Sequence, residues 1–190
     1  HISLGGEYVP FGANILLECE EMPEFTLGIE ICEDLWAPCP PCEGLCLAGA
    51  SVIANLSASN ELIGKADYRR LLVGSTSARL ICGYVYQSAG DGESTQDVVY
   101  SQHALICENG AVLAENPPFG ENTLTVSEID VFRLTGERHK NTSFEPSGSG
   151  RYVTVSFSLP LRETALTRHI AKNPFVPADI GDLSRRAESI

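Results

Sequence analysis

The chain has 190 residues, 43% of them hydrophobic, a formal net charge of −12 and seven cysteines. That length supports one domain with a real core, and the acid excess, with no long basic run, excludes nucleic acid and anionic membrane as partners. No apolar run approaches the roughly 18 residues that cross a bilayer, no signal peptide opens the chain, and the odd, irregular cysteine set argues for reduced thiols; a cytoplasmic address is the expectation.

The first 24 residues read as short extended pieces around turns at Gly5, Gly6, Pro10 and Gly12, with a strand at 15–18. The chain opens on His1 where a complete protein would carry methionine, and it reads as a fragment. In Thr26–Ile31, Leu27, Ile29 and Ile31 alternate with Thr26, Gly28 and Glu30, the period of a half-buried strand. Cys32 stands where the alternation stops. A sharp turn after a strand suits a nucleophile, because it lifts the sulfur clear of the sheet and aims the following N–H groups at a developing oxyanion.

Pro38–Pro41 breaks the chain, GLCLAGA (44–50) is a short helical candidate, and Ser51–Ser57 is a buried-type strand. Ala66–Ile81 has helical spacing and runs into the strand GYVYQS (83–88). HALICEN and AVLAENP form a hairpin across Asn109-Gly110, where both positions call for positive φ. NTLTVSEID, Asn122–Asp130, reads as a further strand, 137–150 as a polar surface loop, and 151–160 as a late strand. The tail from 161 to 190 reads as a linker, leaving 1–160 as one domain. Alternation of strand, turn and helix favours an α/β fold.

GIEICEDLW, the Pro40-Pro41 pair, LAGASVIANLSASNELIGKADYRR (47–70) and ARLICGYVYQSAGDGESTQDVVYSQHALICENGAVLAE (78–115), in that order, resemble the nitrilase-type (carbon-nitrogen hydrolase) glutaminase domain of glutamine-dependent NAD synthetases. GGEYVPFGANILLE and NPFVPAD (173–179) fit its flanks, and 137–162 is the weakest part of the likeness. The resemblance implies the C-terminal portion of an αββα sandwich, with a linker towards a synthetase domain of the same parent chain. It implies Cys32 as nucleophile of a Glu-Lys-Cys triad that hydrolyses glutamine to glutamate and ammonia. ATP and magnesium would serve only that synthetase domain, which amidates nicotinic acid adenine dinucleotide, and no cofactor or metal falls to this segment. Assembly as a homo-oligomer is also implied, since half a sandwich exposes apolar surface.

The triad glutamate and lysine precede His1 in the family, so residues 1–190 alone are expected to be inactive. The resemblance gives Glu33 the amino-acid end of glutamine and Trp36 an aromatic wall, although Trp36 could equally serve core packing. It gives Ser57 and Ser59, at a strand end where α/β sheets place ligands, a part in substrate binding. Asp34 reads as a cap, and Lys65 as a surface or salt-linked lysine rather than the triad lysine. Arg69 and Arg70 would hold a helix start or join an interdomain ion pair. Cys39, Cys42 and Cys46 resemble a zinc or redox motif, but no fourth ligand follows at usual spacing. The acidic loop DGEST (91–95) opposes phosphate binding, and neither a Walker loop nor GxSxG occurs. A stand-alone amidase or carbamoylase of the same superfamily and a catalytically incomplete interaction module are the alternative readings.

Overall fold

The computed structural model describes residues 1–90, 92–121, 124–168, 170, 176 and 179–189. A small hairpin of β1 (Ile2–Leu4) and β2 (Glu7–Val9) stands beside a seven-stranded mixed sheet. The sheet is built from β3 (Ile15–Cys19), β4 (Thr26–Ile31), β5 (Val52–Ser57), β6 (Gly83–Ser88), β7 (Ala104–Glu108), β8 (Ala111–Asn116) and β9 (Val153–Phe157), in the order β8-β7-β6-β5-β4-β3-β9. β4, β5 and β6 are parallel, linked through α1 (Pro41–Leu47) and α2 (Lys65–Leu80), as parallel neighbours require. The β7–β8 turn is closed by Asn109 and Gly110, both at positive φ, as the dipeptide predicted.

Both helices cover one face of the sheet. There Cys42, Leu45 and Cys46 of α1 and Val73 and Leu80 of α2 pack with Leu16, Ile53, Tyr84, Tyr86 and Leu105. Gly28 lets α1 approach β4 closely, since a Cβ there would meet Ile53 Cδ1 at 2.9 Å and Leu45 Cβ at 3.1 Å. A larger residue would require the end of the Ile53 side chain to move and Leu45 and Ala50 to give way slightly.

The burial of β4 reverses the plain reading of its alternation. Thr26, Gly28 and Glu30 lie under the helices, whereas Ile31 is 63% exposed. The apolar set faces away from the helices, in register rows Leu17–Leu27–Val52 and Ile29–Ala54–Val85–Ile106. Leu56, 58% exposed, neighbours Ile31 on that face. An apolar sheet face of this kind is the surface that half of an αββα sandwich presents to its second sheet.

Three expectations need correction. Among the described residues, 124–130 form no strand; the segment is irregular, and Ile129 packs against Gly83. The first part of the polar stretch is helical instead: α3 (Val131–Lys140) is capped by Asp130 Oδ1, which accepts the Arg133 N–H at 2.9 Å. Arg138 of α3 then donates to the carbonyls of Ala50, Leu80 and Ile81 at 2.8, 3.0 and 3.0 Å. The helix expected over 44–50 begins earlier, because Pro41 is favoured at the first helical position.

The tail carries α4 (Ile180–Glu188), and its earlier part is tied down: Thr167 N–H meets Glu128 Oε1 at 2.9 Å, and Arg168 holds Glu108 at 2.9 Å. Asn173, Pro174, Phe175, Pro177 and Ala178 of the NPFVPAD motif lie outside the described residues, as do Asp91, Asn122 and Thr123. Among the described residues no helix is long and apolar enough to cross a membrane.

Candidate active site

Ile31 ends β4 in extended conformation and Cys32, at φ 53°, turns into the left-handed region before a 3-10 turn over Cys32–Trp36. A non-glycine residue in that region costs on the order of 1 kcal/mol, so neighbouring contacts must hold it. Asp34 supplies one, its Oδ2 accepting the Ile31 N–H at 2.8 Å. Asn55 of β5 supplies another, with Nδ2 3.4 Å from the Cys32 carbonyl oxygen.

The same Asn55 nitrogen lies 3.4 Å from Oε1 of Glu30, a carboxylate only 2% exposed beneath the bend. Glu30 also accepts the Cys42 N–H at 2.9 Å and the hydroxyl of Tyr84. Burial, then the charge of Glu30 and its hydrogen bond, drives the Tyr84 phenol far above its ordinary value, so Tyr84 stays a donor. A buried carboxylate is tolerable only with donors of this kind.

Cys32 opens onto a cavity of about 400 Å³ at the C-terminal ends of the parallel strands, lined also by Glu33, Trp36, Ala58, Ser59, Asn60 and Lys65. That is where α/β sheets gather ligand contacts. Four of the five candidates thus meet in one place: Cys32, Glu33, Trp36 and Ser59. Ser57 is not among the lining residues; its hydroxyl is buried without a hydrogen-bond partner, and its carbonyl accepts from Ala89. The bend after β5 places Ser59 differently from the strand residue Ser57, which period two does not foresee. Ser59 is anchored by reciprocal 3.4 Å contacts with the Ser88 hydroxyl. Trp36 lines the cavity while stacking on Tyr68 at 5.5 Å and packing against the core.

Lys65 is partly exposed, in keeping with a surface lysine, and among the described residues no ion pair engages it. Its ammonium is on the cavity wall, donating to Asn60 O at 2.8 Å and Asn60 Oδ1 at 2.9 Å, and lying 5.6 Å from the centre of the Trp36 ring. Burial, then the nearby Arg69 charge, holds it below its ordinary value, opposed by Glu61 and by the sulfur of Cys32. Behind the wall, Arg69 is fully buried. It pairs with Glu61 at 3.2 Å and with His103 Nδ1 at 2.7 Å, and stacks on Tyr86, while Glu61 also takes the Ser101 hydroxyl at 2.6 Å. Arg70 bridges Asp67 and Glu115. This ionic cluster fixes the 58–65 loop that carries Ser59, Asn60 and Lys65.

Of the clustered cysteines, Cys42 and Cys46 point into the core and Cys39 is exposed, so the three do not converge; among the described residues no group of three metal-ligating side chains occurs. A larger cavity, about 640 Å³, opens at the other end of the strands near Ser51, Thr135 and Arg138. Cys46 and His139 also line it; Cys46 lies within α1 rather than at a strand-end bend, and the Arg138 guanidinium is engaged by the three carbonyls named above.

No family model matches the chain. The chain is 41% identical over 187 residues to the glutamine-dependent NAD(+) synthetase of Mycobacterium tuberculosis (strain H37Rv), covering 94% of this chain and 28% of that protein. It therefore spans under a third of that relative's length. The structure is similar to a carbon-nitrogen hydrolase from Helicobacter pylori (TM-score 0.54, 16% identity, 63% of this chain and 45% of that one). It is also similar to a Saccharomyces cerevisiae member of branch 10 of the nitrilase superfamily (TM-score 0.52, 20% identity, 62% and 42%). The chain has the α/β fold of the nitrilase-superfamily carbon-nitrogen hydrolases and is, over nearly its whole length, a homologue of one segment of the glutamine-dependent NAD(+) synthetases.

Proposed function

We propose that this chain is part of the glutaminase domain of a glutamine-dependent NAD synthetase, with Cys32 as nucleophile. The observation that carries the reading is the left-handed bend at Cys32 opening onto a cavity shared with Glu33, Trp36 and Ser59. In the reaction, Cys32 Sγ attacks the side-chain amide carbon of glutamine and the carbon–nitrogen bond of the tetrahedral adduct breaks. Ammonia then leaves with a proton from a general acid. Water cleaves the resulting glutamyl thioester to glutamate, returning the thiol. The opening N–H groups of the 3-10 turn, that of Glu33 first, have no preceding turn to accept them and suit an oxyanion.

Glu33 meets the ammonium of glutamine, Trp36 walls the aliphatic part, and Ser59 takes a polar contact. Ser57 acts from behind, through the strand end. The triad glutamate and lysine come from elsewhere in the same polypeptide, and residues 161–190 lead towards the ATP- and magnesium-using synthetase domain that consumes the ammonia. The exposed apolar sheet face fits a domain that is completed and assembled into a homo-oligomer by other chain segments, in the cytoplasm.

The test is ammonia release from glutamine by the polypeptide as its gene encodes it. Activity abolished by Cys32→Ala supports the reading, and activity unchanged by that substitution overturns it. Residues 1–190 expressed alone release no ammonia above the Cys32→Ala control.

A further inference from the structure

The cavity of about 640 Å³ at the far end of the strands has Cys46 and Arg138 in its wall, and the glutaminase reading uses neither. Cys46 is in the last turn of α1, and the chain leaves that helix through Gly49, whose N–H meets the Cys46 carbonyl at 3.1 Å. At the entry to β5 the Ser51 carbonyl accepts the Gly83 N–H at 2.9 Å, which brings the start of β6, and Cys82 with it, beside the end of α1. The two thiols are buried in one core cluster and hydrogen bonded to each other. Arg138 spans the same junction: its guanidinium donates to Ala50 on the α1 side and to Leu80 and Ile81 on the Cys82 side, and it also bonds Cys46. The bond from Cys82, with the Arg138 charge behind it, holds the Cys46 thiol below its ordinary value against burial. Burial instead pushes the thiols of Cys42 and Cys107 up, the latter to about 11. A thiol that favours its anion beside a guanidinium, on a cavity wall and touching a second thiol, has the parts of an oxidisable pair.

We propose that Cys46 and Cys82 form a reversible disulfide when hydrogen peroxide enters this cavity. The Cys46 thiolate attacks one peroxide oxygen; the sulfur–oxygen bond forms, the oxygen–oxygen bond breaks, and hydroxide leaves to become water with the proton the thiol gave up. The Cys82 sulfur then attacks the sulfenic acid on Cys46. The sulfur–sulfur bond forms, the sulfur–oxygen bond breaks, and the departing hydroxide takes the Cys82 proton as a second water, so the two sulfurs lose the two electrons that the peroxide gains. A thiol reductant reverses the bridge by exchange. The bridge ties β6 to α1, the helix whose Cys42 N–H holds Glu30 at 2.9 Å beneath the Cys32 bend. None of these steps involves glutamine or Cys32.

In the experiment the polypeptide, as its gene encodes it, is treated with hydrogen peroxide, freed of it with catalase, unfolded in iodoacetamide and cleaved after glutamates. That cleavage leaves Cys46 alone in peptide 44–61 and Cys82 alone in peptide 62–93. The expected result is these two peptides joined, lighter by two hydrogens than their sum and separated by a thiol reductant, while Cys107 is recovered alkylated. With dimedone present, Cys82→Ala is expected to carry the adduct of a sulfenic acid on Cys46, and Cys46→Ala to leave Cys82 alkylated. Cys46 and Cys82 both recovered fully alkylated, under peroxide that oxidises the exposed Cys39, would overturn the proposal. So would Cys46 joined to any other cysteine peptide. The joined peptides are read on the unsubstituted protein, so the result stands even where a substituted one fails to fold.

Discussion

The side-chain nitrogen of Asn55 lies 3.4 Å from the carbonyl oxygen of Cys32, so the strand next door holds the strained residue at its left-handed φ. Asn55→Ala removes that tie together with a donor to Glu30. The expected result is a kcat for glutamine lowered by about 10- to 100-fold, with KM changed far less, because misplacing a nucleophile by a fraction of an ångström affects attack more than binding. Steady-state kinetics of the variant check it.

Tyr84 and Glu30 should behave as a unit. Tyr84→Phe leaves the buried carboxylate short of its hydroxyl donor, which costs about 1–3 kcal/mol of stability. Glu30→Gln changes an anion that three neighbours are arranged to satisfy. The double variant should lose less than the sum of the single losses, as urea denaturation of all four proteins in a mutant cycle would show.

His103 gives the fold a pH dependence. Arg69 donates to Nδ1 at 2.7 Å, so the ring proton is on Nε2, where it meets Glu115 at 3.0 Å. Burial first, and Arg69 besides, hold the imidazole below its ordinary value against the opposing pull of Glu115. The unfolded chain therefore binds a proton at about pH 6.5 that the folded chain still refuses. Stability from this site is complete above about pH 6.5 and declines as the pH falls towards the lower folded value. Denaturant midpoints measured between about pH 7.5 and about pH 5.5 should drop, and His103→Gln should flatten that slope while lowering stability at the upper end.

Much of this was readable from the sequence, and the failures have physical causes. The β4 alternation, the Asn109-Gly110 turn and the spacing of α2 are local signals, and each is where the sequence places it. Cys32 was legible because a strand pattern ends there. Which face of β4 is covered was not, since period two separates the faces without saying which meets a helix; the buried Glu30 is the result. The α3 helix escaped because its cap Asp130 ends a stretch with strand-like composition and Gly136 interrupts it. Lys65 joined the site, and Ser57 fell outside the cavity lining, through the path of the 58–65 loop, which depends on the distant contacts of Arg69, Glu61 and Ser101.

The most direct test of the central claim is the mass of the Cys32 peptide after acid quenching of the polypeptide, as its gene encodes it, during turnover of glutamine. A thioester adduct of glutamine less ammonia on Cys32, lost on treatment with hydroxylamine and missing from the Cys32→Ala protein, is the predicted result. Ammonia release from glutamine that continues undiminished in Cys32→Ala, with no adduct on the Cys32 peptide of the unsubstituted protein, would contradict the account.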